Sequence, residues 1–141
     1  MAAYDLDRFL KGQARNYDAA LREIREGCKR SHWMWYVFPQ IQGLGYSSTA
    51  QYYAIRDLGE AKAYLQHPIL RERLLEISNA LLALDSHNAS EVFGWPDDMK
   101  LRSSMTLFAK AEPDCAVFQK VLDQYFQGKK DSNTLSILAS M

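Results

Sequence analysis

The sequence is poor in the residues that hold disulfide-rich or metal-bound small domains together. Of its 141 residues only two are cysteine, Cys28 and Cys115, and only three are histidine. Two isolated cysteines without a secretion signal indicate free thiols in a reducing compartment. The histidines are widely separated and have no partner at a metal-ligand spacing. The sequence therefore predicts no disulfide, no bound metal and no cofactor.

The sequence also lacks an excess of either charge and any long apolar run. Seventeen basic residues balance seventeen acidic ones, whereas bulk binding to nucleic acid or to an anionic membrane needs a basic excess. No apolar stretch approaches the ~20 residues of a membrane-spanning helix. We therefore expect a cytoplasmic location, no bulk nucleic-acid binding and no membrane insertion, and the oligomeric state stays open.

Apolar residues recur mostly at helical spacing, and strand signals are weak. The length fits a single domain over residues 1–141, and a 48% apolar content supplies its core. The pattern predicts a compact, mostly helical all-α domain of about seven or eight short helices. Trp33–Phe38 fits either a strand or an extension of the helix before it. The main predicted helices cover roughly residues 5–10, 18–30, 47–57, 60–65, 68–84, 96–108 and 113–126, with a last one capped by Asp131 or Ser132.

The segment Ser31–Tyr53, SHWMWYVFPQIQGLGYSSTAQYY, combines clustered aromatics with a Gly-Leu-Gly turn and three hydroxyl residues. One interpretation is a core hub, because such aromatics bury large areas and the glycines allow a tight turn. The other is a ligand site. Gly43–Thr49 would lead into a helix N-terminus that favours an anion, with glutamine amides and a Trp35 stacking face nearby. The lysine of a P-loop and the third glycine of a dinucleotide fingerprint are both missing.

A second candidate segment is Lys100–Met105, KLRSSM. At helical spacing Lys100 shares a face with Ser104, and Arg102 shares one with Thr106. In one interpretation the serines allow close helix packing while both cations face solvent. In the other, Arg102 enters a cleft and holds a phosphate or carboxylate, which suits its forked guanidinium.

Four phrases together resemble a bacterial and fungal family of small domains of unknown function that is often labelled calpastatin: SHWMWYVFPQIQGLGYSSTAQYYAI, AYLQHPIL, VFGWPDDMKLRSSMTLFA and VFQKVLDQYFQG. The resemblance covers nearly the whole chain and implies a compact helical domain with no established activity. The calpastatin label implies inhibition of a calcium-dependent protease. Such inhibitors are long, disordered and repetitive, and this chain is not.

Residues 48–53, STAQYY, are also similar in shape to a phrase of the YbiA-like superfamily, which is associated with NAD and ADP-ribose metabolism. In that superfamily a glycine- and aromatic-rich segment precedes a helix that opens with a Thr-Ser-Glu-His-Tyr-Phe-like phrase. The position of its glutamate falls on Ala50 here. The likeness therefore implies binding without the acid that N-glycosidic chemistry would need.

Two functional hypotheses follow. The first is a domain that binds a phosphate-bearing small molecule, nucleotide or ADP-ribose-like, with or without hydrolysis. Its predicted contact residues are Trp35, Gln40, Gly43, Gly45, Ser47, Tyr52, Lys100 and Arg102. The second is a protein-interaction or regulatory module with an exposed aromatic patch that includes Trp33, Trp35 or Trp95. No catalytic residue is predicted, and only the first hypothesis requires residues 35–53 and 98–106 to converge on one pocket.

Overall fold

The computed structural model describes residues 4–141, and its regular structure is helical. The helices are α1 Asp7–Arg25, α2 Met34–Val37, α3 Ser48–Tyr52, α4 Leu58–Gln66, α5 Pro68–Leu82, α6 Ala89–Phe93, α7 Asp97–Ala111, α8 Ala116–Phe126 and α9 Ser132–Ala139. The predicted all-α class is confirmed, with nine helices over the described residues. Strand-like pairing within 4–141 is limited to one parallel bridge, between Ile41 and Ile55. None of the described helices has the length and apolar content to cross a membrane.

The first helix joins what the apolar pattern predicts as two helices. α1 is continuous from Asp7 to Arg25 and buries one apolar face, and it ends before Gly27, whose φ is +79°. Gly12, in the middle of α1, lies against the ring of Tyr36. A Cβ there would stand 2.6 Å from Tyr36 Cγ. Gly12 is thus a point of close packing between α1 and α2.

The aromatic stretch 33–38 forms neither a strand nor an extension of α1. It forms the single turn α2, between the N-cap Trp33 and the C-cap Phe38. Trp33 and Phe38 are fully buried, and both rings pack against Phe93. The core interpretation is therefore confirmed for this stretch, apart from the half-buried Trp35.

α7 is the central helix of the domain, since it packs against α4, α6, α8 and α9. Its side chains Leu101, Met105 and Phe108 are fully buried. α5 closes the core by packing against α1, α4 and α8. The N-cap of α9, Asp131, lies against α7, with its Oδ2 3.1 Å from Ser103 Oγ.

The long connection from α2 to α4, residues 38–57, carries α3 and is fastened at both ends. Gln42 N donates to Ile55 O at 2.8 Å, and Ile55 N donates to Gln40 O at 2.8 Å. The guanidinium of Arg8 donates to the carbonyls of Tyr52 (2.9 Å) and Ala54 (2.8 Å). The connection is thus a fixed wall of the domain.

Candidate functional site

A cavity lies along the connection between α2 and α4, and we call it the central cavity. Its volume is about 460 Å³. None of its lining side chains is charged, and the lining combines aromatic rings, three glutamines and the glycine turn. It is lined by Trp35, Gln40, Ile41, Gln42, Gly43, Leu44, Gly45, Tyr46, Ala50, Gln51, Tyr53 and Ala54. Such a surface suits a planar, polar, uncharged group.

A smaller cavity of about 230 Å³ adjoins the central cavity, and we call it the α7–α9 cavity. The two cavities share Trp35, Gln40, Leu44 and Gly45. The α7–α9 cavity adds residues from the beginnings of two helices, Pro96, Met99, Lys100 and Ser103 around α7 and Asp131 and Asn133 around α9. Segments 35–45 and 99–103 therefore converge on joined cavities.

A third cavity, of about 260 Å³, adjoins the central cavity on another side. The two share Gln42, Gln51 and Ala54. We call it the Arg56 cavity, because it adds the exposed Arg56 together with Asp5, Arg8 and Tyr52. The other cation in this cavity, Arg8, is buried, and its guanidinium is used by the Glu60 carboxylate at 3.1 Å and by the carbonyls of Tyr52 and Ala54. Arg56 is thus the cation here that can meet a ligand.

Trp35 forms the boundary between the central and the α7–α9 cavities, and Lys100 covers its ring. Lys100 Nζ lies 3.8 Å from the centroid of the Trp35 ring and 3.2 Å from Asp97 Oδ1. Asp97 Oδ2 in turn lies 2.8 Å from the nearly buried ammonium of Lys29. The alternating charges fix the Lys100 ammonium against the indole, where a cation is attracted to the ring face.

The turn Gly43–Gly45 needs its glycines for two different reasons. Gly43 has φ +103°, a conformation that side chains disfavour, and a Cβ there would meet Ile137 at 3.3 Å. At Gly45 a Cβ would stand 2.7 Å from Ala50 Cβ, so this glycine lets the turn approach α3. The turn is therefore a tightly packed wall with its backbone at the cavity.

Five of the predicted contact residues reach the central cavity or the α7–α9 cavity. Trp35, Gln40, Gly43 and Gly45 line the central cavity, and Lys100 lines the α7–α9 cavity. Tyr52 lines the Arg56 cavity instead. The hydrogen bonds among residues 4–141 make no use of the side-chain amide of Gln40, so it is available to a ligand.

Two predicted contact residues have structural partners outside the three cavities. Ser47 caps α3, and its hydroxyl accepts from Ala50 N at 3.1 Å. Arg102 donates to the carbonyls of Lys129 (2.9 Å) and Lys130 (3.0 Å), which fastens the chain that enters α9. α3 is also only five residues long, so its dipole offers an anion little. The site therefore depends on its cavities rather than on a helix entrance.

Sequence reasoning did not assign Leu44, Gln51, Tyr53, Arg56, Asp131 or Asn133 to the site. Gln51 and Tyr53 follow from the predicted segment, because they belong to the same turn as Tyr52. Asp131 carries only a local signal, that of a helix cap, which it fulfils. Its place beside Lys100 arises from the packing of α9 on α7. Among residues 4–141, no group of three or more His, Cys, Asp or Glu side chains is arranged to hold a metal ion.

The chain belongs to a family described as proteins of unknown function, DUF1810, whose model matches residues 3–138. Its fold is similar to the crystal structure of the conserved hypothetical protein Rv1873 from Mycobacterium tuberculosis. The two are 46% identical, the match covers 96% of this chain and 97% of that chain, and the TM-score is 0.94. No curated protein matches the sequence. The predicted membership of an unknown-function family is confirmed, and the comparisons support neither the calpastatin label nor the YbiA likeness.

Proposed function

We propose that this domain binds a phosphate-bearing small molecule of the nucleotide or ADP-ribose-like class, with its planar part in the central cavity. One observation carries the proposal: an uncharged aromatic and amide cavity adjoins two cavities that each contain a cation, Lys100 and Arg56. Aromatic rings stack on planar heterocycles. The Gln40 amide can donate to and accept from the edge of such a ring.

The dimensions agree with this class of ligand. A volume of about 460 Å³ lies within the roughly 300–1,000 Å³ typical of small-molecule sites. A phosphate needs a cation or converging N–H donors, and the central cavity has no charged lining residue. The phosphate therefore lies toward Lys100 or Arg56, at one of the two ends.

The proposal is tested by calorimetric titration with AMP, ADP-ribose and inorganic phosphate. Gln40→Met keeps the side-chain length and removes an amide that no described residue uses, so it should weaken nucleotide binding about tenfold without lowering stability. If the phosphate lies toward Lys100, Lys100→Met should weaken binding to a similar degree. If it lies toward Arg56, Arg56→Met should do so. Lys110→Met is the matched control, because it removes an exposed cation from α7 outside the cavities.

Two results would count against the proposal. One is the absence of heat and of thermal stabilisation with millimolar AMP and ADP-ribose. The other is binding that weakens more in the Lys110→Met variant than in the Gln40→Met, Lys100→Met and Arg56→Met variants. The first result would show that the domain does not bind these nucleotides. The second would show that the ligand binds outside the central cavity.

A second candidate function, protein interaction, is favoured by one observation. Trp95 is 81% exposed and its neighbour Met99 is 43% exposed, whereas Trp33 is fully buried. A large exposed indole, next in sequence to Pro96 of the α7–α9 cavity, is typical of an interaction surface. A photo-reactive side chain at position 95 should then form a cross-linked adduct of defined mass in cells. The same side chain at the exposed Lys110 is the control, and an identical adduct pattern at both positions would contradict this function.

A further inference from the structure

We infer that the α7–α9 cavity is a subsite for an uncharged, hydroxyl-rich group of the sugar type, bound through Asp131. The inference rests on the proposed function and deepens it, since it names the chemistry of the group attached to the planar part of the ligand. It is carried by the carboxylate of Asp131, by the balance of charge in the cavity and by the connection to the central cavity.

Asp131 is held rigidly, with one of its oxygens unused. The residue is 9% exposed and caps α9. Its Oδ2 accepts from Thr134 N at 3.0 Å and from Thr134 Oγ1 at 2.6 Å, and it lies 3.1 Å from the hydroxyl of Ser103. Its Oδ1 accepts from no residue of the described part of the chain, and Asp131 lines the α7–α9 cavity. Oδ1 is not among the fully buried atoms that lack a partner, so it is open to solvent, and a ligand hydroxyl could replace water as the donor to this fixed oxygen.

The charges that line the α7–α9 cavity favour a hydroxyl group over a phosphate as the ligand group beside Asp131. Asp131 and Lys100 are its only charged lining residues, so the cavity has no excess of positive charge. A phosphate beside the Asp131 carboxylate would be repelled. A hydroxyl group both donates and accepts, so neighbouring hydroxyls can donate to Asp131 Oδ1 and accept from Lys100. The amides of Gln40 and Asn133 extend the same mixed pattern.

The shared wall explains how such a group would be attached. Trp35, Gln40, Leu44 and Gly45 belong to both cavities. A ligand with its planar part in the central cavity can therefore reach the α7–α9 cavity with the group next along its skeleton. The cavity, with a volume of about 230 Å³, has room for a single ring. The phosphate would then lie toward Arg56 at the other end, because the Asp5 carboxylate of that cavity is exposed and screened by solvent, whereas the Asp131 carboxylate is buried.

The variant Asp131→Asn tests the inference with little disturbance of the fold. Asparagine is as good a helix N-cap as aspartate. Its carbonyl oxygen can keep the bonds from Thr134 and Ser103, while its NH2 group replaces Oδ1. The variant therefore converts the acceptor that has no partner among the described residues into a donor. Asp114→Asn, on an exposed loop residue, removes the same charge elsewhere and is the control.

The measurement is calorimetric titration of the wild type and both variants with AMP and with 2′,3′-dideoxy-AMP, which lacks both ribose hydroxyls. We expect the wild type and Asp114→Asn to prefer AMP by about tenfold or more, the effect of a hydrogen bond to a charged acceptor. Asp131→Asn should lose that preference. Equal affinity of the wild type for both nucleotides, or an unchanged preference in Asp131→Asn, overturns the subsite and leaves the proposed function standing.

If neither nucleotide binds, the proposed function is wrong. The sugar subsite is then tested separately, with a free sugar as the ligand. Titration of the 15N-labelled protein with D-ribose to high millimolar concentration should then shift the side-chain amide signals of Gln40 and Asn133. The same shifts should be absent in Asp131→Asn. Signals that stay in place in the wild type, or that move equally in both proteins, overturn the subsite as well.

Discussion

Buried hydroxyl groups on neighbouring turns of α7 differ in how their hydrogen bonds are satisfied. Ser103 Oγ lies 3.1 Å from Met99 O, and Thr106 Oγ1 donates to Arg102 O at 2.8 Å. The hydroxyls of Ser104 and Ser78 are buried and have no hydrogen-bond partner in residues 4–141. A buried hydroxyl without a partner costs free energy of folding. The pair Ser103 and Ser104 therefore offers a direct comparison.

We expect Ser104→Ala to raise the free energy of unfolding by about 1 kcal/mol, because it removes an unsatisfied hydroxyl and places a better helix former in α7. Ser103→Ala should lower it by about 0.5–1.5 kcal/mol, since its hydroxyl contacts Asp131. Urea unfolding of both variants gives the comparison. A loss of stability in Ser104→Ala as large as in Ser103→Ala would contradict this account of the two hydroxyls.

Glu23 is a buried carboxylate that is satisfied entirely by hydrogen-bond donors of the turn after α1. It is 4% exposed and accepts from Arg30 N at 2.7 Å, from Ser31 N and Oγ, and from the Trp33 indole at 2.9 Å. Burial by itself would raise the pKa of this carboxyl. The hydrogen bonds outweigh it and lower the pKa from 4.5 to about 2. Glu23 thus fixes the beginning of the aromatic stretch.

The lowered pKa predicts how Glu23 contributes to stability at different pH. The ionised form is favoured in the folded state, so its contribution is complete above about pH 4.5 and is lost as the pH falls through about 2. It amounts to about 3 kcal/mol. Unfolding of wild type and Glu23→Gln should differ most near neutral pH and converge toward pH 2, with the exposed Glu72→Gln as control. A difference that does not change with pH would refute this role.

At the scale of elements, the contact between α1 and α2 depends on the absence of a side chain at Gly12. Glycine is a poor helix residue, and alanine would favour an isolated helix by about 1 kcal/mol. In the folded protein a Cβ at this position would approach the Tyr36 ring to 2.6–3.0 Å. Tyr36 in turn packs against Tyr53, with ring centroids 5.2 Å apart, so a displacement reaches the wall of the central cavity.

We therefore expect Gly12→Ala to destabilise the protein by about 1–3 kcal/mol despite its better helix propensity. The exposed Ala14→Gly, on the same helix, measures propensity alone and should cost about 1 kcal/mol. Thermal unfolding of the two variants separates packing from propensity. A stabilised Gly12→Ala variant would show that the two helices can move apart without cost.

Helix boundaries were predictable where a cap or a proline marks them locally. Ser47, Pro68 and Asp131 each indicate a helix start that the structure confirms. The continuity of α1 through Gly12 and the single helical turn of α2 had no such marker. The first depends on the packing of Gly12 against Tyr36, and the second on the packing of Trp33 against Phe93. Both contacts join residues far apart in sequence, and a local pattern cannot contain that information.

At the scale of the whole molecule, the central cavity comes mainly from one segment of the chain, whereas the α7–α9 cavity is assembled by the packing of separate helices. The central cavity is built mainly from residues 40–54, so its glycine turn, glutamines and aromatics were open to prediction. Arg102 was predicted to hold a ligand, but its guanidinium donates to the carbonyls of Lys129 and Lys130. Asp131 joins Lys100 only because α9 packs on α7. Helical spacing shows which face a residue occupies and does not show which helix covers that face.

Binding in the joined cavities is tested most directly by NMR titration of the 15N-labelled protein with AMP and with ADP-ribose. We predict saturable shifts of the backbone amides of residues 40–54, with the Trp35 indole signal moving together with them. Residues of α5 and α8 away from the cavities should stay unchanged. An absence of shifts up to millimolar nucleotide, or shifts that map to α5 and α8 and spare residues 40–54, would contradict the account.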